Sequence, residues 1–201
     1  MRKNKISNRG TNPKHNIIFE GPELAGKSYL MSQIYNHLEP KYNSGGKIMD
    51  GCHWFNCDVG IFGTKFGTMA LMKYLELLED INDTNVMLEK FHLTEAVYQK
   101  LYHNQDFDYS EIEDRLKKIN TKIILVTFNE DESLLKRRLE DRLDLYPHYE
   151  RIAQTPADYI KQQKLYLDLI KKCKLEYLVV NASQLPNPDL VDEILKFLKE
   201  K

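Results

Sequence analysis

The stretch Gly21-Pro22-Glu23-Leu24-Ala25-Gly26-Lys27-Ser28 reads G-x-x-x-x-G-K-S and directly follows the apolar run Asn16-Ile17-Ile18-Phe19-Glu20. After it, Leu30, Ile34, Tyr35 and Leu38 fall on one side at helical spacing. Strand, glycine-rich turn and helix together are the context of a P-loop. Gly21 and Gly26 let the backbone turn tightly and bring its amides close to phosphate oxygens. The helix that follows aims its N-terminal amides and the positive end of its dipole at the same anion. Lys27 is placed for the outer phosphates, and the Ser28 hydroxyl for a magnesium ion. The whole segment from Gly21 to Tyr29 is therefore the expected binding loop for a nucleoside triphosphate.

Working outward, strand-like and helix-like segments alternate. Lys47–Asp50 reads as a second strand, after Glu39-Pro40 ends the first helix and Asn43-Ser44-Gly45-Gly46 turns the chain. Gly51 to Gly63 has no clean period and carries Trp54, which makes it either a lip over a pocket or a loop packing its aromatics on the core. Helical spacing runs over 66–80, 92–102 and 106–120. Asn85–Glu89 and Lys122–Phe128 are near-continuous apolar runs of the kind found in central parallel strands. Residues 131–143 form a helix rich in exposed charge, interrupted by Tyr146-Pro147-His148-Tyr149. A long helix over 156–173, a strand over 176–180 and a helix over 189–198 complete the chain. This order predicts an α/β, three-layer P-loop NTPase fold with a central, mostly parallel five-stranded sheet flanked by helices.

In such sheets ligands bind beyond the carboxyl ends of the strands. The P-loop, Asp50, the Glu89-Lys90 pair and the loop after Phe128 are all read as falling there. Glu89 ends a central strand beside the P-loop, where a carboxylate can serve the magnesium ion or orient the acceptor. Arg138 and Arg142 lie one helical turn apart and can point at one target, so a lid is expected around 136–155. Phe91 and Tyr98 either flank a base by stacking or belong to the core.

These residues carry a family resemblance. Phe19-Glu20-Gly21-Pro22 into Ala25-Gly26-Lys27-Ser28 resembles the thymidylate kinase signature F-E-G-x-[DE]-G-[AS]-G-K-[ST]. Glu89-Lys90-Phe91 through Ala96-Val97-Tyr98-Gln99 resembles the D-R-Y-x-x-S-x-x-A-Y-Q motif of that family, and Arg138 to Arg142 its R-x-x-x-R lid. Tyr166-Leu167-Asp168-Leu169 is similar to the Y-L-x-L of the next helix, so the match runs in order from Ile17 to about Ser183. The resemblance implies ATP and Mg2+ as cofactors and phosphoryl transfer to a deoxynucleoside monophosphate. Lys27, Glu89, Arg138 and Arg142 would carry catalysis, with Ser28 and Glu89 on the metal. Asp50, Trp54, Lys90, Phe91 and Tyr98 would line the acceptor site. The departures are informative: Glu89-Lys90 stands where the family has D-R, and lysine cannot grip phosphate bidentately. Asp50 and Trp54 are similar instead to an acid and a tryptophan of deoxynucleoside kinases, which gives the alternative of a nucleoside acceptor with Asp50 as base. Two more distant alternatives are a kinase acting on a base or sugar within polynucleotide and a GTP-binding P-loop switch. The N-K-x-D guanine-reading pattern of the latter is absent.

Composition sets the remaining expectations. The 201 residues suit one domain over 16–201, preceded by a basic, loose tail over 1–15. A formal net charge of −1 gives no electrostatic case for nucleic acid or an anionic membrane. No apolar run reaches the length of a membrane span, and the start lacks a secretory pattern. The three cysteines, Cys52, Cys57 and Cys173, make no disulfide framework, which fits a reducing cytoplasm. Cys52, His53 and Cys57 lie close together but lack the second pair of a zinc site. The partners expected are a small-molecule acceptor and a second copy of the chain in a homodimer.

Overall fold

Parallel strands must be covered on both faces, and the two-residue period of each strand shows how this is done. The computed structural model describes residues 15–58, 60–81 and 83–200; of the tail expected over 1–15, all but His15 lies outside them. The strands are β1 (Asn16–Glu20), β2 (Cys52–Asn56), β3 (Asn85–Glu89), β4 (Thr121–Thr127) and β5 (Glu176–Asn181). They form one all-parallel sheet in the order β2-β3-β1-β4-β5. Between them run α1 (Lys27–Tyr42), α2 (Gly67–Asp80), α3 (His92–His103), α4 (Ser110–Lys118), α5 (Glu132–Leu145) and α6 (Pro156–Ile170). A short 3-10 helix, Pro147–Arg151, follows α5, and α7 (Pro188–Phe197) follows β5. Ile17, Phe19, Met87, Ile124 and Val126 meet Leu30, Ile34 and Leu38 of α1 and Leu195 of α7 on one face. Ile18, Val86, Leu88, Ile123 and Leu125 meet Leu71, Leu75, Val97 and Leu116 of α2, α3 and α4 on the other. Adjacent residues of one strand thus feed two separate cores, as the pleat requires. None of the described helices is long and apolar enough to cross a membrane.

Phe19 pairs in register with Glu89 on one side and Ile124 on the other, so β1 and β3 end within a residue of each other beneath the P-loop and β4 runs two residues further. Three boundaries correct the sequence reading. The second strand is Cys52–Asn56, not Lys47–Asp50, and Ile48 and Met49 are 67% and 65% exposed. At a sheet edge one strand face stays partly open, so β2 alternates exposed with covered residues and lacks the apolar run that marks β3 and β4. The first helix also continues through Pro40 to Tyr42. Pro40 lies in its last turn, where the missing N–H removes a single helical hydrogen bond. The buried Glu39 carboxylate secures that turn by accepting from Gly51 N and Cys52 N, both at 2.8 Å, and from Asn43 Nδ2 at 2.6 Å. The fourth helix begins at Ser110 rather than near Asp106, and Asp108 Oδ1 accepts from Ser110 N at 2.9 Å.

Candidate active site

The loop joining β1 to α1 is shaped by close backbone approaches. Gly21 has φ 134°, and a Cβ there would lie 2.2 Å from Val126 O. Gly26 has φ 90°, with a Cβ only 2.6 Å from Leu185 Cδ1. Both positions need glycine for conformation and for space. α1 starts at Lys27 with no side chain capping its first amides, so these donors and the helix dipole face the opening. Lys27 is buried, and its Nζ donates to Gly21 O at 2.8 Å and Pro22 O at 2.7 Å. Among the described residues no carboxylate lies within ion-pair reach of it, and burial lowers its pKa. A buried ammonium held only by carbonyls, beside uncapped amides, can take up an anion. Ser28 Oγ donates to Glu89 Oε1 at 2.9 Å, which sets two hard oxygen donors side by side, as magnesium requires. These groups open on a cavity of about 860 Å3, also lined by Tyr29, Arg137, Arg138 and Arg142.

Next to the loop, Lys90 takes a left-handed φ of 62°, sparsely populated by a side-chain-bearing residue. Its Nζ pairs with the Glu23 carboxylate and, at 2.9 Å, with Asp58 Oδ2. Burial pushes Glu23 up, but Lys90 and Lys27 outweigh it and bring its pKa to about 2. Burial likewise opposes the charge on Lys90, yet Glu23, Tyr98 and Asp58 hold its pKa well above the ordinary lysine value. Arg142 stands 3.9 Å from Glu23 Oε2, with its guanidinium 5.2 Å from the ring centre of Tyr149 and 5.7 Å from that of Tyr146. Tyr149 is buried and faces Tyr159 of α6, its hydroxyl 3.3 Å from that of Tyr159. The segment 136–155 is thus packed on α6 at its far end.

The two arginines do different things. Arg138 Nη1 donates to Leu24 O at 2.8 Å, and Nη2 to Ala182 O at 2.5 Å and Ser183 O at 3.1 Å. It clamps the P-loop to the segment after β5, whereas Arg142 faces the loop carboxylate. Phe91 is fully buried in the core on the α2 and α3 side, the placement its packing alternative expects. Tyr98 is half-buried beside Tyr102, ring centres 5.5 Å apart, and its Cβ faces Gly63. Trp54 is 36% exposed on β2 and shares a second cavity with Tyr35, Met49, Asn56 and Glu89.

Asp50 is a correction. It precedes β2, so it sits at the amino end of the strand, the edge away from the P-loop. Its carboxylate accepts from Ser44 N at 2.8 Å and its carbonyl from Thr84 Oγ1 at 2.7 Å. The acid beyond the carboxyl end of β2 is Asp58. A second residue without an assigned role in the sequence reading is Glu20. Its buried carboxylate accepts from Phe91 N and Leu93 N at 3.0 Å and from Thr94 Oγ1 at 2.6 Å. Burial raises its pKa, against the pull of His92 and these donors. Glu20 therefore fixes the start of α3, and with it the Glu89-Lys90 turn. An acid closing an otherwise apolar strand was its signal in the sequence.

No known sequence family matches this chain, and no curated protein sequence does. Its architecture does have solved counterparts. The YorR protein from Bacillus subtilis, solved in complex with phosphorylated GDP, superposes with a TM-score of 0.63 at 19% identity, over 91% of this chain and 95% of that one. Thymidylate kinase from Ehrlichia chaffeensis gives 0.55 at 13% identity, covering 93% and 100%. Deoxyadenosine kinase from M. mycoides, solved with dCMP and dCDP, gives 0.52 at 14% identity, covering 92% and 98%. The fold is P-loop kinase-like. At these identities the likeness concerns architecture, and residue roles rest on the geometry described above.

Proposed function

We propose that this chain is an ATP-dependent kinase whose acceptor is a deoxynucleoside monophosphate. The observation that carries this reading is that Lys27, the Ser28–Glu89 pair and Arg142 open on one cavity. Bound ATP with Mg2+ would supply the transferable phosphoryl group and a divalent charge that offsets its oxygens. Lys27 and the first amides of α1 bind phosphate oxygens, and Ser28 with Glu89 holds the metal. Arg142 offsets charge that develops on the migrating group, where preorganised donors act most strongly. Lys90 and Arg142 both face Glu23, so an acceptor phosphate has two cations to engage in place of that carboxylate.

A specific observation favours a second reading, a nucleoside acceptor. Glu23 and Asp58 both pair with the single ammonium of Lys90, and this acidic surplus suits a neutral hydroxyl better than a dianion. Assays of the purified protein with Mg2+ and ATP against a panel of deoxynucleosides and their monophosphates separate the two. Turnover of monophosphates alone supports the first reading and of nucleosides alone the second; turnover of neither rejects both. Free thiols at Cys52, Cys57 and Cys173 accord with a reducing cytoplasm. A homodimer completes the proposal and is checked by sedimentation.

A further inference from the structure

Away from the P-loop, three metal-ligating side chains from three segments meet. His92 opens α3, Glu113 lies in α4, and Cys173 lies in the turn after α6. One ligand atom from each lies within 4.8 Å of the other two, and His92 Nε2 is 3.4 Å from Glu113 Oε1. His92 is 0% exposed, yet among the described residues neither ring nitrogen makes a well-aligned hydrogen bond. Glu113 Oε1 meets His92 only at that long distance, while Oε2 accepts from Lys174 N at 3.1 Å. Buried polar atoms left this way each cost about 1–3 kcal/mol, and His92 Nε2 facing Glu113 Oε1 beside the Cys173 sulfur marks a place for a shared partner. We propose that His92, Glu113 and Cys173 bind a single divalent cation of zinc type.

The donor set is imidazole nitrogen, carboxylate oxygen and thiolate sulfur, the mixture that zinc accepts in tetrahedral sites. Ligands about 2.0–2.3 Å from such an ion stand about 3.5 Å apart, so small rotations close the present spacing. Charge also balances. Neutral His92, the Glu113 carboxylate and the Cys173 thiolate carry two negative charges, which one divalent ion cancels within a buried site. Binding releases the Cys173 thiol proton to solvent. Of the three residues Glu113 also lines a cavity of about 460 Å3, together with Tyr109 and Lys174. Such an ion joins α3, α4 and the turn after α6; its role is structural, and it is independent of the kinase reading.

The test uses the full chain, stripped with a chelator and titrated with Co2+ and then Zn2+. Stoichiometric Co2+ with a thiolate charge-transfer band, displaced by Zn2+, is expected, together with protection of Cys173 from alkylation. C173S should abolish the band, and E113Q should weaken Zn2+ binding at least about a hundredfold, with far-UV circular dichroism unchanged. If C173S does not fold, the alkylation protection in the wild-type chain and E113Q decide. Failure of the folded wild type to bind Co2+ or Zn2+ at micromolar concentration overturns the site. So does binding that lacks the band, which places the ion at the Ser28–Glu89 pair, or a band that survives in C173S, which assigns it to Cys52 or Cys57.

Discussion

Ser28 Oγ donates to Glu89 Oε1 across 2.9 Å, joining the first turn of α1 to the carboxyl end of β3. The two residues are far apart in sequence and meet because β1 and β3 are parallel neighbours that end level. A hydroxyl and a carboxylate so placed can share one hard cation. Glu89→Gln keeps the hydrogen bond and removes the charge. It is expected to raise the Mg2+ concentration needed for half-maximal turnover and to lower kcat by about a hundredfold or more. Steady-state rates over a Mg2+ series check this; an unchanged Mg2+ dependence assigns the metal elsewhere.

Lys27→Met separates catalysis from folding. Turnover is expected to fall by about 10²–10³, the effect of removing one preorganised donor to transferring charge. Stability of the ligand-free chain should hold or rise. The folded pKa of Lys27 lies below its unfolded value because of burial. Below that folded pKa the charged ammonium therefore subtracts from stability, and methionine removes this term. Urea melts of both proteins at neutral pH are the measurement, and a clearly less stable Met variant contradicts it.

Arg138 and Arg142 should fail in opposite ways. Arg138→Ala leaves the carbonyls of Leu24, Ala182 and Ser183 without their shared donor. Hydrogen bonds to a charged group contribute about 1.5–3 kcal/mol, so a loss of that order in stability is expected, and lysine cannot reproduce the fork. Arg142→Ala should leave stability within about 1 kcal/mol, since its pairing with Glu23 is long and partly exposed. Its kcat should fall about a hundredfold. Equal behaviour of the two variants removes the distinction.

Lys90 offers a test by compensating substitution. Lys90→Met strands the Glu23 and Asp58 carboxylates in a buried site and should destabilise by about 3–5 kcal/mol. Adding Glu23→Gln and Asp58→Asn should restore much of that loss. Full stability in the single variant shows that the pairing does not hold the turn.

Much of this was legible in the sequence, and the misses share causes. Two buried parallel strands announce themselves as apolar runs, so Asn85–Glu89 and the strand at 121–127 were read nearly as they are. The edge strand β2 was not, because its exposed face breaks the run; the error moved Asp50 to the wrong end of the sheet and hid Asp58. Arg138 and Arg142 look identical on a helical wheel. Only the approach of the segment after β5, Ala182 and Ser183, turns one into a clamp. Glu20 and Glu39 serve backbone amides distant in sequence, a relation that periodicity does not carry.

The last expectation concerns pH. Glu200 is 1% exposed and gathers His15 at 2.5 Å, Lys41 and Tyr42 at 2.6 Å, and His37 at 3.7 Å, tying α1 to the segment after α7. Burial pushes its pKa up, but hydrogen bonds from Lys41, Tyr42 and His15 outweigh this and bring it from 4.5 to about 2. A carboxyl lowered on folding adds stability that is fully present above its unfolded value and lost as pH falls through the folded one. By linkage the contribution at neutral pH is at most about 3 kcal/mol before solvent screening reduces it, and about half of it should be gone by about pH 3. Glu200→Gln lacks this titration. Its stability deficit in urea melts is therefore expected to be about 2–3 kcal/mol at neutral pH and to narrow steadily from about pH 5 downward. A deficit that stays constant over that range would show that the carboxylate charge contributes nothing and that only the shape of the side chain matters.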